Sequence, residues 1–423
     1  MPGERRRTAV IGSGVAGLTA GYVLSQAHEV TLYEADVRLG GHAHTHDVTD
    51  PDGTTHAVDS GFIVHNRRTY PHLLRLFDVL GVETQESEMS MSVRCEGCGL
   101  EYAGALGPRG LFADPRNALR PAYLRLLTEV PVFHRRARAL LAAPEGEGEP
   151  TLGQFLAHAR FSRYFVTHFM TPVVSAVWSC AADTALRYPA RYLFRFLDHH
   201  GMLSVTGSPT WRTVTGGSRA YVDRVAKQLP VVRTGTPVRS VRRHSDGADV
   251  VTADGGTERY DAVVVAVHPD QALRLLADPT EDERRVLGAF RYSRNATQLH
   301  TDDSLLPRRP GARASWNYLM PACDSGADAV RVSYDMNRLQ RLSATRPHVV
   351  TLGGADRVDP AKVLAEMVYE HPVYTPESVA AQRELPALSG AVTAYAGAHH
   401  GWGFHEDGCR SGVEAARALG VEW

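Results

Sequence analysis

"RRTAVIGSGVAGLTAGYVLSQAHEVTLYEAD", Arg6 to Asp36, changes pattern three times within one short run. "TAVI" is an apolar run of strand length, "VAGLTAGYVLSQ" places small and apolar residues at helical spacing, and "EVTLYEA" is a second apolar run. Gly12, Gly14 and Gly17 join the first run to the helix as GxGxxG. They serve a tight turn, backbone approach to a pyrophosphate, and close helix–sheet packing respectively. Val15 and Ala16 open the helix, whose unpaired N–H groups and positive dipole end suit a phosphate. The second run ends at Glu34 and Ala35; Glu34 stands 22 residues past Gly12, placed to accept hydrogen bonds from a ribose hydroxyl. An acid there disfavours a 2′-phosphate. The framed motif predicts an α/β, Rossmann-like dinucleotide-binding domain rather than a bare glycine turn.

Just downstream, "RLGGHAHTHD" (Arg38–Asp47) carries His42, His44 and His46 at alternate positions. In a strand all three would face one way, and two histidines so spaced can share a zinc. The three rings would, however, spread over about 13 Å of strand, which is poor geometry for one ion. No metal is expected among them. Cys95 and Cys98 form a CxxC, but a zinc site needs two further ligands and none stands at matching spacing, so this pair reads as a reduced hairpin turn. The five cysteines are an odd number scattered over 423 residues and form no disulfide framework.

Composition narrows the class. The chain is 43% hydrophobic and 22% charged, with a net charge of −1, so no global field favours nucleic acid or anionic lipid. No apolar run reaches the roughly 18 residues of a spanning helix. The amino-terminal stretch is glycine-punctuated and has no clear cleavage site, so a cytoplasmic protein is expected.

Glu34, Arg38, Gly40 and Gly41 form ExxxRxGG, and here the sequence resembles the amine-oxidase-like FAD-dependent oxidoreductase superfamily of monoamine oxidases, protoporphyrinogen oxidase and phytoene desaturases. The resemblance implies that this stretch wraps the FAD ribose and pyrophosphate, and that His42 and "DSGFIVHN" (Asp59–Asn66) lie near the flavin. It implies that the backbone at Val238 contacts adenine. It also implies that "AYAGAHHGWGFHEDGCRSG" (Ala394–Gly412) brings a helix N-terminus, with Phe404 and Glu406, to the flavin edge. Where relatives carry an acid shortly after that first glycine, Ala398 and His399 stand instead. "HHGWG" holds no cysteine, which implies non-covalent FAD. A bacterial subgroup of predicted NAD/FAD-binding proteins is similar nearly end to end, through stretches such as "WSC" (178–180) and "GWGFHEDGCRSG" (401–412). Its members often occur beside methyltransferases of the cyclopropane-fatty-acid-synthase type, which implies lipid acyl chemistry and a methyltransferase partner.

The expected organisation is an FAD-binding domain from separated segments, 1–103, 216–275 and 389–423, with an inserted helical substrate domain at 104–215 and a substrate-domain sheet at 276–388. "APEGEGEP" (Ala143–Pro150) reads as a linker inside the helical block. Function follows from residue chemistry. No second GxGxxG follows a strand, so a dedicated nicotinamide site is not expected. Many superfamily amine oxidases hold a lysine against the flavin; the two lysines here, Lys227 and Lys362, read as helical positions outside that place. Phe165, Phe169, Met170, Trp178, Phe194 and Phe196 either wall an apolar cavity or fill the helix core. The expectation is oxidation or desaturation of an apolar, lipid acyl substrate. Amine oxidation, redox-neutral isomerisation and non-catalytic flavin binding are the alternatives, and any membrane contact is peripheral, through an apolar entrance. His399, with room left by neighbouring glycines, and Trp316 and Tyr318, on alternate positions of "ASWNYLM", are the candidates for catalysis; His199, His200 and His400 have the same chemistry.

Overall fold

The computed structural model describes residues 5–146, 148–323 and 330–423. Outside them lie the first four residues of the amino-terminal stretch and one position of the 143–150 linker. A five-stranded parallel sheet has the order Val231–Arg233, Glu29–Tyr33, Arg7–Ile11, Ala262–Val265, Thr393–Tyr395. Its strands are apolar runs because both faces are covered, and Val10 lies in register with Leu32 on one side and Val264 on the other. Three separated stretches of chain therefore build one sheet.

Helices Val15–Leu24 and His405–Ala418 lie against each other, and glycine sets their distance. A Cβ on Gly412 would come within 2.4 Å of the Ala16 carbonyl oxygen, and one on Gly408 within 2.6 Å of Val15 Cγ1. Gly408, Ser411 and Gly412 share the buried face that the sequence assigns to small residues.

A seven-stranded sheet runs Val363–Val373, Arg291–His300, Val349–Leu352, Val332–Asp335, Trp316–Met320, Met91–Cys95, Leu100–Ala103. Segment 1–103 thus supplies strands to both large sheets. The edge strand Val363–Val373 differs from the helical reading of "DPAKVL". Only one 3₁₀ turn, Pro360–Lys362, precedes it, and its residues alternate between half-buried and exposed as far as Val368. The helical block comprises Pro121–Ala142, Leu152–His158, a continuous run from Arg163 to Trp178 with a π turn at Val166–Met170, Ala182–Arg187 and Ala190–His199. Among the described residues no helix is long and apolar enough to cross a membrane.

Asp59 fastens segment 1–103 to segment 216–275. Its buried carboxylate accepts from the Thr45 hydroxyl (2.6 Å), the Ser218 hydroxyl (2.7 Å) and the Ser218 backbone N–H (2.9 Å). Burial pushes its pKa up to about 6 despite these donors.

Candidate active site

Both large sheets and the helical block wall a cavity of about 1240 Å³. That exceeds the roughly 300–1,000 Å³ of a site for one drug-sized ligand. One end belongs to the glycine motif. Gly12 has φ +100°, and a Cβ there would meet the Ala266 carbonyl oxygen at 2.5 Å, so only glycine makes this turn. A Cβ on Gly14 would meet nothing within 4 Å, because it would project into the cavity. Glu34 accepts from the Ser13 N–H (2.9 Å), the Ser13 hydroxyl (2.6 Å) and the Asp36 N–H (2.9 Å). Arg38 donates to the carbonyls of Leu39, Gly41 and Ala43, which locks the second glycine turn. A Cβ on Gly41 would lie 3.2 Å from Gly14 Cα, so the two turns pack together. Val15, Ala16, Ala35, His42 and Val238 join Gly12, Gly14, Glu34, Arg38 and Gly41 on the wall. Gly17 and Gly40 sit behind it; Gly40 donates its N–H to the Ser13 carbonyl (3.1 Å) and supports the loop instead.

Of the histidine triplet, His42 lies on the cavity wall, and His44 and His46 stand behind it. The strand starts at Thr45, so His42 precedes it in a turn and packs on Tyr369, ring centroids 5.0 Å apart. His44 donates to or accepts from the Tyr369 hydroxyl (3.0 Å), His46 does the same with the Ser60 hydroxyl (2.8 Å), and those two hydroxyls are 2.7 Å apart. Tyr369 and His371 escape the sequence reading because their strand resembles a helix.

At the carboxyl-terminal signature, Phe404 and His405 reach the wall with Trp402. The 14-residue helix His405–Ala418 begins there, so its positive end faces the cavity. Asp407 accepts from the N–H groups of Trp402 (3.0 Å) and Phe404 (3.1 Å); burial pushes its pKa up to about 6, against the pull of Arg410. Glu406 departs from expectation. Its carboxylate turns away to accept from the N–H groups of His72 (3.1 Å) and Leu73 (3.0 Å), capping helix Pro71–Leu80. Those unpaired helix donors are its partners, and it is absent from the cavity wall.

His399 is on the wall, packed between Phe290 and His400. Its own ring occupies the room beside Gly397: a Cβ there would come within 2.2 Å of His399 Cε1. Burial lowers its pKa well below the ordinary value, so the ring is neutral near pH 7 and a weak proton acceptor. Trp316 reaches the cavity, whereas Tyr318, two residues deeper, packs in the core with Val93 and Tyr102. Strand alternation put both on one face, but only the outer one meets the opening. Of the six aromatic and methionine candidates in the helical block, Trp178 and Phe196 line the cavity; the others pack in the helix core. Ser179, in the left-handed region at φ +50°, ends the Thr171–Trp178 helix against the same wall, a strained position no pattern foretold. Lys362 precedes the edge strand, but its amine pairs with Asp302 (3.3 Å); neither lysine lies on the wall.

Five wall residues carry a buried polar atom with no hydrogen-bond partner among the described residues: His42 Nε2, His268 Nδ1 (which faces the Glu370 carboxylate at 3.3 Å), Trp316 Nε1, Trp402 Nε1 and His405 Nε2. Buried polar groups are normally paired, so their clustering suits a polar-edged ligand. With the open position at Gly14 and the helix N-terminus, the donor set fits a flavin dinucleotide. Elsewhere, the Cys95 and Cys98 pair is not isolated: Cys323 and His168, remote in sequence, bring the two ligand-type groups that spacing failed to show.

The family model described as "Flavin containing amine oxidoreductase" matches residues 15–420. Carotenoid phi-ring synthase of Streptomyces griseus is 31% identical over 304 residues, which are 66% of this chain and 55% of that protein. The chain therefore spans little more than half of that relative's length. The CLA-producing fatty acid isomerase from P. acnes superposes with a TM-score of 0.71 at 17% identity, covering 97% of this chain and 98% of that one. Cyclohexylamine oxidase from Brevibacterium oxydans IH-35A does so with a TM-score of 0.69 at 17% identity, covering 98% and 99%. At such identities these two structures speak for the fold alone.

Proposed function

The chain belongs to the flavin-containing amine oxidoreductase family, with FAD as its cofactor, and from that premise we propose that it oxidises or desaturates an apolar, lipid acyl substrate at a C–H bond. The carrying observation is the apolar part of the cavity wall. Met89, Met91, Trp178, Phe196, Trp316 and Leu352 belong to it, and no lysine stands on the wall. The wall's carboxylates lie elsewhere: Glu34 and Asp36 at the glycine motif, and Glu370 beside His268 and Arg294 at 3.3 and 3.5 Å. The relative named for a carotenoid ring supports an apolar substrate class.

The glycine turns, Glu34 and Arg38 would hold the dinucleotide, and Val238 the adenine side. When bound, FAD supplies the hydride acceptor for a substrate C–H bond. The N-terminal N–H groups of His405–Ala418 stabilise negative charge beside Phe404 and His405. Asp407 holds the Trp402–Phe404 loop in place. On the Gly401 carbonyl converge donors from Tyr192 (2.7 Å), Tyr374 (2.8 Å) and Gln382 (2.6 Å), which fixes the same loop from behind. Apolar side chains exclude water and orient the chain of the substrate.

Anaerobic mixing of the yellow protein with a panel of acyl lipids, amines and polyenes tests this reading. Bleaching by an unsaturated or methyl-branched acyl lipid, with simple amines inert, is the expected result. Rapid bleaching by amines alone would establish amine oxidation instead, and conversion of a lipid without net bleaching would establish an isomerase.

A further inference from the structure

Away from the flavin cavity, three sulfurs and one imidazole nitrogen converge. The Sγ atoms of Cys95, Cys98 and Cys323 and a ring nitrogen of His168 all lie within 4.8 Å of one another. Cys95 Sγ and Cys323 Sγ are 3.7 Å apart, and Cys98 Sγ is 3.6 Å from His168 Nε2. A tetrahedral zinc with Zn–S of about 2.3 Å and Zn–N of about 2.0 Å demands S···S edges of about 3.8 Å and S···N edges of about 3.5 Å. A disulfide would need about 2.05 Å. We propose that Cys95, Cys98, Cys323 and His168 form a structural zinc site.

The surroundings are arranged for that ligand set. His168 Nδ1 lies 3.2 Å from the Tyr164 carbonyl, so its N–H donates there and leaves Nε2 as the free lone pair. The Tyr164 ring stacks on the imidazole at 4.0 Å, and the Tyr102 hydroxyl holds the His168 carbonyl (2.7 Å). Gly99 provides the left-handed turn at φ +67°. Gly97 lets the hairpin approach the third ligand, since a Cβ there would lie 3.0 Å from the Cys323 backbone nitrogen. Arg120 donates to the Cys98 carbonyl (2.8 Å), setting a cation beside a centre whose three thiolates outweigh the metal's charge.

The site's place in the fold explains its use. Cys95 ends a strand of the seven-stranded sheet, in register with Met320, and Cys323 follows that neighbour. His168 lies on the π turn of the helical block, where the widened turn re-aims one side chain. Zinc would thus tie the substrate sheet to the helical block that together wall the cavity. With four protein ligands and none of them on the cavity wall, the metal holds structure and leaves no position for a reacting water.

Metal analysis of protein purified without metal-affinity resin should find one zinc per chain. Growth with cobalt should yield thiolate-to-cobalt charge-transfer bands and tetrahedral d–d bands, resolved after the flavin is bleached by dithionite. His168→Ala should weaken zinc binding by more than about 100-fold, whereas His168→Cys should retain the metal. If His168→Ala does not fold, the cobalt spectrum and thiol counting on the unaltered chain decide: three thiols slow to react with zinc bound, fast after chelation. Absence of stoichiometric zinc with no cobalt–thiolate bands would overturn the site, as would a disulfide within the cluster or iron as the resident metal. None of these readouts depends on the substrate.

Discussion

Glu34 grips Ser13 twice, accepting both its backbone N–H and its hydroxyl, at 2.9 and 2.6 Å. The carboxylate therefore shapes the phosphate loop as well as offering acceptors to a ribose. Glu34→Ala removes both services and should weaken FAD binding by roughly 10- to 150-fold, as expected for losing a charge-assisted hydrogen bond of about 1.5–3 kcal/mol. Ser13→Ala leaves the carboxylate in place and should cost less. Equilibrium titration of the apoprotein with FAD gives both values, and equal losses would show that the loop alone matters.

Gly14 and Gly17 should separate ligand binding from folding. Gly14 opens on the cavity, so Gly14→Val should leave the fold intact, with an unchanged far-ultraviolet spectrum, and abolish the yellow colour. Gly17→Val drives a Cβ into the Gly12 carbonyl at 1.9 Å and should destabilise the helix–strand contact itself. Full flavin occupancy in the Gly14 variant would refute the phosphate-turn assignment.

Glu406 and Asp407 are neighbours with different duties. Glu406→Ala removes a cap from helix Pro71–Leu80 and should lower stability by about 1–2 kcal/mol without moving the flavin spectrum. Asp407→Ala frees the Trp402–Phe404 loop on the cavity wall and should shift that spectrum and weaken FAD binding. A spectral change in the Glu406 variant alone would reverse these roles.

Local physics explains what the sequence disclosed. GxGxxG, Glu34 and the glycine pair are legible because each answers a backbone need: a positive φ at Gly12, a close approach at Gly17, an open face at Gly14. Strand alternation found Trp316 on the cavity, but it carries no information about depth, and Tyr318 was misplaced for that reason. The strand bearing Tyr369 and His371 went unread because "AKVLAEMVYE" satisfies helical spacing as well as alternation, and only pairing with Arg291–His300 decides between them. His168 lies 70 residues from Cys98, and Cys323 lies 228 from Cys95, so no spacing rule joins them. Glu406 looked like a flavin ligand because its motif lies beside one, yet the unpaired N–H groups at 72 and 73 took its charge.

Acid should unfold this protein through its histidines. Burial holds His44, His65, His200, His300, His371 and His400 down to about 4, against an unfolded value near 6.5. Each is neutral in the folded chain but takes a proton when unfolded between those values. Their contribution is complete above about pH 6.5 and is lost as the pH falls towards 4. Asp59 and Asp407 have the opposite sign. Raised to about 6 by burial, they keep their protons in the folded chain between about pH 4 and 6, where the unfolded chain has lost them, so acid restores the stability they withhold near neutrality. His42, His399 and His405 are lowered further still and act in the same direction, so the depressed imidazoles outnumber the two raised carboxylates and the melting temperature should drop steadily from pH 6.5 to 4.5, with a net uptake of protons on unfolding near pH 5. Asp59→Asn removes one opposing group and should steepen the drop. A melting temperature that is flat or rises on acidification would show that these imidazoles are already charged in the fold.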